Sequence, residues 1–226
     1  MIIILLLFNL YYVDQPCAKI PGHGVFAVQL RFGPGGEILG FFDVGIWDRL
    51  GLGISYGASN LIGAGDPEFY KQPGAQIRVL AVEEDIIVPA VILGFDNQGF
   101  GPFNDSTERY MIMSKGIYCE TGKTFASANI SFTPSVGVNY SFEENSHWDM
   151  FAAANTVFGS SASFLLEYSP NFNDPLDRNR GYMNVGLRII FYEQLFFEFD
   201  LRDLLNNSIP DQKLNRTIKM GYEQQF

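Results

Sequence analysis

Cysteine and histidine are almost missing from this chain: Cys17 and Cys119, His23 and His147 are all it has. Two thiols give neither a disulfide framework nor a cysteine-based metal site, and no metal or cofactor is implied by the residues. Positive charge is also scarce. Fifteen Lys and Arg face 25 Asp and Glu, a net charge of −10 that argues against nucleic acid as a main partner. Long apolar runs are absent beyond the N-terminus. The longest, Ile86–Phe95, is broken by Pro89 and is too short to cross a bilayer as a helix. No repeat, low-complexity tract or long linker divides the 226 residues, so residues 24–226 form one domain.

What the chain does have is aromatic residues, 15% of the total, and alternation. Side chains point to opposite faces along a strand. Residues 215–226 place Ile218, Met220, Tyr222 and Phe226 on one face and Thr217, Lys219, Gly221 and Glu223 on the other. Phe26, Val28, Leu30 and Phe32 oppose Ala27, Gln29 and Arg31. Val185, Leu187, Ile189 and Phe191 oppose Asn184, Gly186 and Arg188. Leu195, Phe197, Phe199 and Leu201 oppose Glu198, Asp200 and Arg202. Reading for this period gives twelve strands: 24–33, 37–47, 49–58, 74–84, 86–96, 113–124, 130–143, 148–158, 160–169, 180–191, 194–205 and 214–226. The alternation is weakest over 37–47 and 113–124, where apolar residues occupy both parities. Residues 123–130 also allow an extra hairpin.

The connections have two kinds. Those at Asp48, Asp85, Gly159 and Tyr192–Glu193 are tight, with 125–129 longer. Those at 59–73, 97–112, 170–179 and 206–213 are long, with short exceptions at 34–36 and 144–147. Short turns at one end and long loops at the other are the pattern of an outer-membrane barrel with both termini in the periplasm. The expectation is therefore an all-β, closed antiparallel transmembrane β-barrel of about twelve strands. A mean hydropathy of +0.05 suits it, because only every second residue meets lipid. Tyr222 and Phe226 belong to the terminal strand, which must pair with the first so that no edge is left open in lipid.

Residues 1–18 read as a signal peptide with an atypical or truncated basic region and cleavage near Cys17–Lys19. Cys17 as a lipid-anchored cysteine is disfavoured, since Asp-Gln-Pro-Cys lacks the small residues such sites prefer.

The candidate chemistry is thin. A Ser–His pair needs a histidine on a strand face; His23 precedes the first strand, and Ser146 and His147 are neighbours pointing apart. Glu198 and Asp200 share one face as a two-carboxylate glycosidase would require, but Arg202 beside them favours an ion-paired lumen. The Gly-rich loops 59–67 and 97–102 lack a phosphate-loop lysine and a following helix. Asp174 and Asp177 in loop 170–179 lack the spacing of a calcium loop. The pattern that stands out is charge on the inward parity: Arg31, Arg78, Glu167, Arg188, Glu198, Asp200, Arg202, Lys219 and Glu223, with Asp43 beside them. Mixed signs on adjacent strands point to cross-strand pairs that stiffen and partly fill the interior, whereas a selective pore more often carries one dominant sign. Gly51, Gly53, Ser55 and Gly57 leave room on another wall for a slim water path.

Several stretches resemble one family: S-Y-G-A-S-N-L-I-G-A-G-D-P (55–67), P-G-A-Q-I-R-V (73–79), V-P-A-V-I-L-G-F-D-N-Q-G-F-G-P-F (88–103), S-K-G-I-Y (114–118), L-E-Y (166–168), G-Y-M-N-V-G-L-R (181–188) and L-F-F-E-F-D-L-R-D-L-L (195–205). Together they are similar to uncharacterised bacterial outer-membrane proteins related to the YjbH family, associated with exopolysaccharide production. The resemblance implies a barrel in polysaccharide-linked envelope biology and carries no catalytic residues. The reading is a non-enzymatic outer-membrane channel or scaffold linked to exopolysaccharide export, with membrane lipid, the barrel-assembly machinery, and polysaccharide or envelope proteins as partners. Two others stay open: a structural barrel whose loops bind a surface ligand, and a soluble secreted β-sandwich or lipocalin-like binder.

Overall fold

Alternation over this many strands has two outlets: two sheets that bury their apolar faces together, or one sheet that closes with its polar face inside. The chain takes the second. The computed structural model describes residues 10–143, 148–172, 180–207 and 216–226. In chain order its strands are β1 (Val25–Gly33), β2 (Glu37–Ile46), β3 (Leu50–Ser59), β4 (Glu68–Phe69), β5 (Gly74–Val82), β6 (Ala90–Asp96), β7 (Phe100–Asn104), β8 (Arg109–Ile112), β9 (Gly116–Gly122), β10 (Phe125–Ser127), β11 (Ile130–Tyr140), β12 (Trp148–Phe158), β13 (Ala162–Ser169), β14 (Tyr182–Phe191), β15 (Leu195–Leu201) and β16 (Arg216–Gln225). Twelve long strands make a closed antiparallel barrel; β4 and β10 extend its edges, and β7 and β8 form a separate hairpin. Closure comes from β16 against β1, in register from Val25 with Gln225 to Phe32 with Ile218.

The outer face is apolar and unpartnered. Val28, Leu30, Ile54, Val79, Val138, Phe164, Leu187, Phe197 and Ile218 all point outward, whereas Arg31, Arg78, Arg188 and Lys219 are among the largest fully buried side chains. Such an inside-out arrangement fits hydrocarbon outside and a polar interior within. Aromatic rings gather at both ends. Tyr140, Phe142 and Trp148 cluster edge-to-face at the long-loop end, and Phe26 packs between Phe42, Tyr222 and Phe226 at the short-turn end. Tight turns at Trp47–Asp48 and Tyr192–Glu193 place both central residues at positive φ, matching the twist of the flanking strands.

Three sequence expectations are corrected. The strand expected over 86–96, here β6, starts at Ala90, because Pro89 has no N–H for a ladder; Ile86 and Ile87 instead stand out at the turn. The strand expected over 113–124 is β9, shorter at both ends, Gly116–Gly122. β9 ends at Gly122, and β10 then pairs with the start of β11 around Ala128–Asn129, so the loop at 125–129 is a hairpin. β9 and β11 share one register pair, Gly116 with Tyr140, and the Lys123 N–H donates to the Pro134 carbonyl at 3.1 Å. Loop 97–112 carries the β7–β8 hairpin. Residues 144–147 and 173–179 and most of 206–213 lie outside the described residues, and with them Ser146, His147, Asp174 and Asp177.

Residues 10–18 lie inside the barrel. They turn back on themselves, with a bridge between Tyr11 and Pro16, Tyr12 N–H donating to Gln15 O at 2.8 Å and Cys17 N–H to Leu10 O at 3.3 Å. The chain leaves the lumen at the short-turn end through residues 19–22, which cross directly over Gly45. A Cβ there would sit 2.1 Å from the Gly22 carbonyl and 2.2 Å from that of Pro21. Gly45→Val should therefore push the linker off the wall and destabilise the barrel by about 1–3 kcal/mol, the usual range for overpacking. A urea titration of the refolded protein would measure it, and an unchanged midpoint would show that the linker does not need this contact.

Candidate functional site

Buried polar side chains line the lumen from each of the twelve long strands, and an ion-paired cluster gathers on β14, β15 and β16. Arg188 on β14 and Glu198 on β15 are in register, as are Glu198 and Lys219 on β16. Glu198 is the hub: its carboxylate takes the Arg188 Nε at 2.5 Å and the Lys219 Nζ at 2.6 Å. Lys219 also lies 3.2 Å from Asp200. The Arg188 guanidinium stacks 4.2 Å from the Phe196 ring centre. On the opposite wall Arg78 pairs with Asp43, and Gly53 makes room, since a Cβ there would meet the Asp43 carboxylate at 2.8 Å and Gln76 Oε1 at 3.0 Å.

One juxtaposition on the wall is electrostatically unfavourable. Arg31 of β1 stands directly opposite Lys219 of β16 at the closing seam, and like charges facing each other destabilise a strand pair. The hairpin of residues 10–18 brings the compensating charge. Asp14 Oδ1 accepts from Arg31 Nη2 at 2.7 Å, and Asp14 Oδ2 accepts from Arg202 Nε at 2.8 Å and Nη2 at 2.5 Å. Burial alone would raise the Asp14 pKa, but Arg202, then Arg31 and Lys219, outweigh it and hold the carboxyl well below the usual carboxylate range. The sign follows from that lowering: the carboxylate's contribution is complete above the ordinary value and is lost only as pH falls through the lowered one. Mild acid should therefore leave the Asp14 carboxylate charged. Arg31, Arg202 and Lys219 face Asp14 as cations, and Glu167 is the anion beside it.

The wall also grips the hairpin backbone. Glu167 accepts the N–H groups of Val13, Asp14 and Gln15, each at 2.9 Å, and is held by Asn184 Nδ2 at 2.6 Å. Lys219 Nζ donates to the carbonyls of Tyr12 and Val13 at 3.1 and 2.8 Å. Tyr11 OH donates to Asp96 at 2.5 Å. Apolar contacts complete the seat on both sides. Leu10 and Tyr11 pack with Leu39, Phe41, Phe100 and Tyr110. Tyr12, Val13 and Cys17 pack with Ala153 and Leu165. Phe100 and Tyr110 come from the β7–β8 hairpin, which folds in from the long-loop end. It is anchored there by the Gly101 N–H on Glu37 at 2.9 Å, with Gly101 at positive φ.

The structure brings Arg31, Arg188, Glu198, Asp200, Arg202 and Lys219 into this one cluster, with Glu167 joined to it through the hairpin. Arg78 lies on a separate wall. Glu223 is half-buried at the rim, beside Leu10, Ala27 and Asp43. Asp14, Glu37, Asp96 and Glu120 are buried lumen carboxyls outside the sequence-derived set. Glu37, Asp96 and Glu120 lie on strands at inward positions, so parity alone could have found them. Asp14 could not be found that way, because it lies outside every strand. His23 stands at the short-turn end, where its ring Nδ1 accepts from the Trp47 N–H at 3.1 Å and its own N–H donates to Asp48 at 2.7 Å. It braces a turn.

No protein-family model matches the sequence, and no curated protein matches it. Among solved structures the chain is similar to a KdgM porin, with a TM-score of 0.56 and 11% identity over 89% of this chain and 99% of that one. It is also similar to a KdgM porin in complex with disordered oligogalacturonate, with a TM-score of 0.51 and 11% identity over the same shares. At this identity the likeness is one of architecture: the chain has the porin-type outer-membrane β-barrel fold.

Proposed function

We propose that the protein is a small outer-membrane channel for a hydrophilic solute, non-enzymatic, with its lumen closed in the resting state. The single observation that carries this reading is the wall itself: a closed barrel with apolar residues outward and a buried, ion-paired charged surface inward. The mixed charges stiffen the wall, and they also leave an interior that water can enter once the hairpin is out, which a dry apolar filling of equal stability would not. That the solute is a saccharide, in envelope biology linked to exopolysaccharide export, is supported by the resemblance to YjbH-related proteins and by the saccharide complex of a protein with the same architecture. Both termini of the barrel lie at the short-turn end, which in this reading faces the periplasm, and assembly uses membrane lipid and the barrel-assembly machinery. The β7–β8 hairpin at the other mouth favours a second reading, in which the long loops bind a surface partner.

Planar-bilayer recording of purified, refolded protein tests the choice. A channel gives discrete, infrequent openings of small conductance. A barrel that stays silent over a wide voltage range, although it is folded and shifts mobility on heating, points to the loop-binding reading. Fractionation should place the protein with outer membranes; recovery as a soluble periplasmic monomer would contradict both readings.

A further inference from the structure

Arg202 is buried on the lumen wall, and its ion pair and hydrogen bonds among the described residues go to Asp14. Arg31 uses the other oxygen of the same carboxylate and lies 4.0 Å from Glu37. Two guanidinium groups from opposite sides of β16 thus enclose one carboxylate. This geometry suits planar, charge-assisted recognition. The occupant is not part of the wall. The described backbone-to-backbone hydrogen bonds of residues 10–18 stay within residues 10–19, and the wall holds the segment through side chains, so it can leave without breaking any strand pair. Its departure would, however, leave Arg31 facing Lys219 with Glu37 at 4.0 Å as counter-charge, take from Arg202 the carboxylate it pairs with, and free Glu167 from the three N–H groups it accepts. The place between the two guanidinium groups, once vacated, suits another carboxylate.

We propose that Arg31 and Arg202 form a carboxylate-binding station in the lumen, that Asp14 is its resident occupant, and that a carboxylate-bearing saccharide displaces the hairpin by competing for it. The proposal rests on the channel reading and names its solute class. It requires residues 10–18 to stay in the mature protein, in place of leader removal near Cys17–Lys19. A ligand shifts such an equilibrium only by its preference for one state. A carboxylated solute has that preference and a neutral one does not.

Cys17 reports the hairpin's position. It is buried between the hairpin and the wall, and burial, with Glu120 nearby, pushes its thiol up to about 11. Seated, it should react slowly; released into water, it should regain ordinary reactivity. With Cys119→Ala it is the only thiol. The experiment follows labelling of Cys17 by a membrane-impermeant maleimide on outer-membrane protein, with an oligoglucuronate or a neutral maltooligosaccharide at equal ionic strength. Labelling should be slow alone, unchanged by the neutral sugar and at least about threefold faster with the oligoglucuronate. Asp14→Asn should label about tenfold faster without any sugar and respond little to it, while Asp14→Glu should restore slow labelling.

Equal labelling with both saccharides overturns the proposal, as does an intact mass showing that the mature chain lacks residues 10–18. If Asp14→Asn does not assemble, the saccharide comparison on the Asp14 protein still decides. Conductance separates the two levels. Saccharide-dependent labelling in a protein that never conducts supports the station and sinks the channel. Openings with saccharide-independent labelling do the reverse.

Discussion

Removing Tyr222–Phe226 should abolish assembly. The deletion takes four of the eight register pairs of the closing seam, Val25 with Gln225 through Val28 with Tyr222. It also removes the Phe226 N–H bond to the Gly24 carbonyl at 2.9 Å and the stacking of Phe26 on Phe226. The first half of β1 would then be paired with β2 alone, and its other edge would face hydrocarbon. Each unsatisfied backbone group there costs several kcal/mol, so losing a run of them exceeds the 5–15 kcal/mol that typically stabilises a folded protein. Expression in outer membranes and heat-dependent gel mobility would be compared with those of the full chain. A truncated protein that still inserts and shifts on heating would show that the β1–β16 seam is not what closes the sheet. Alanine at Phe226 alone should be much milder, since it removes the ring and keeps the backbone bonds.

The barrel was legible because alternation is a local signal repeated twelve times, and because connection length tells one end from the other. β1, β14, β15 and β16 are readable from their residues alone. The alternation fails where the interior is not lined by polar groups. Leu39 and Phe41 of β2 point inward and are buried against Tyr11 and Phe100. They make both parities of 37–47 apolar, and they do so because the lumen holds a hairpin and a folded loop at that height. The blurred stretch was therefore informative about filling. Residues 123–130 were ambiguous for a different reason, the bend that separates β9 from β10. The hairpin of residues 10–18 was illegible in principle. Its apolar residues read as a leader, and what places it is a set of long-range pairs such as Asp14 with Arg202, 188 residues apart. No window of sequence contains that relation. Arg202 itself was visible as a lumen charge, but its partner was not.

Glu198→Ala should destabilise the folded barrel more than Arg188→Ala, and Leu187→Arg should act by a different route from either. Glu198 is shared: removing it leaves Arg188 and Lys219 buried without their common anion, while Lys219 still faces Arg31. Breaking a buried pair by deleting one partner costs about 3–5 kcal/mol, and here two cations lose a partner at once. Arg188→Ala leaves Glu198 with Lys219, so its cost should fall below that range. Leu187 is the neighbour of Arg188 on the outer face, half-exposed and in register with Phe164 and Phe199. Arginine there sits near the middle of β14 among rings that face lipid, at a cost of roughly 2–4 kcal/mol at the bilayer midplane. Detergent micelles, which let a long side chain reach water, should partly forgive Leu187→Arg and not Glu198→Ala. Folding yield of all three variants would be measured in micelles and in bilayers of matched thickness. A bilayer-specific defect for Leu187→Arg, and a defect in both media for Glu198→Ala, is the expected pair. If Leu187→Arg folds normally in bilayers while Arg188→Ala fails to assemble, inside and outside are exchanged and the lumen network is not a lumen network.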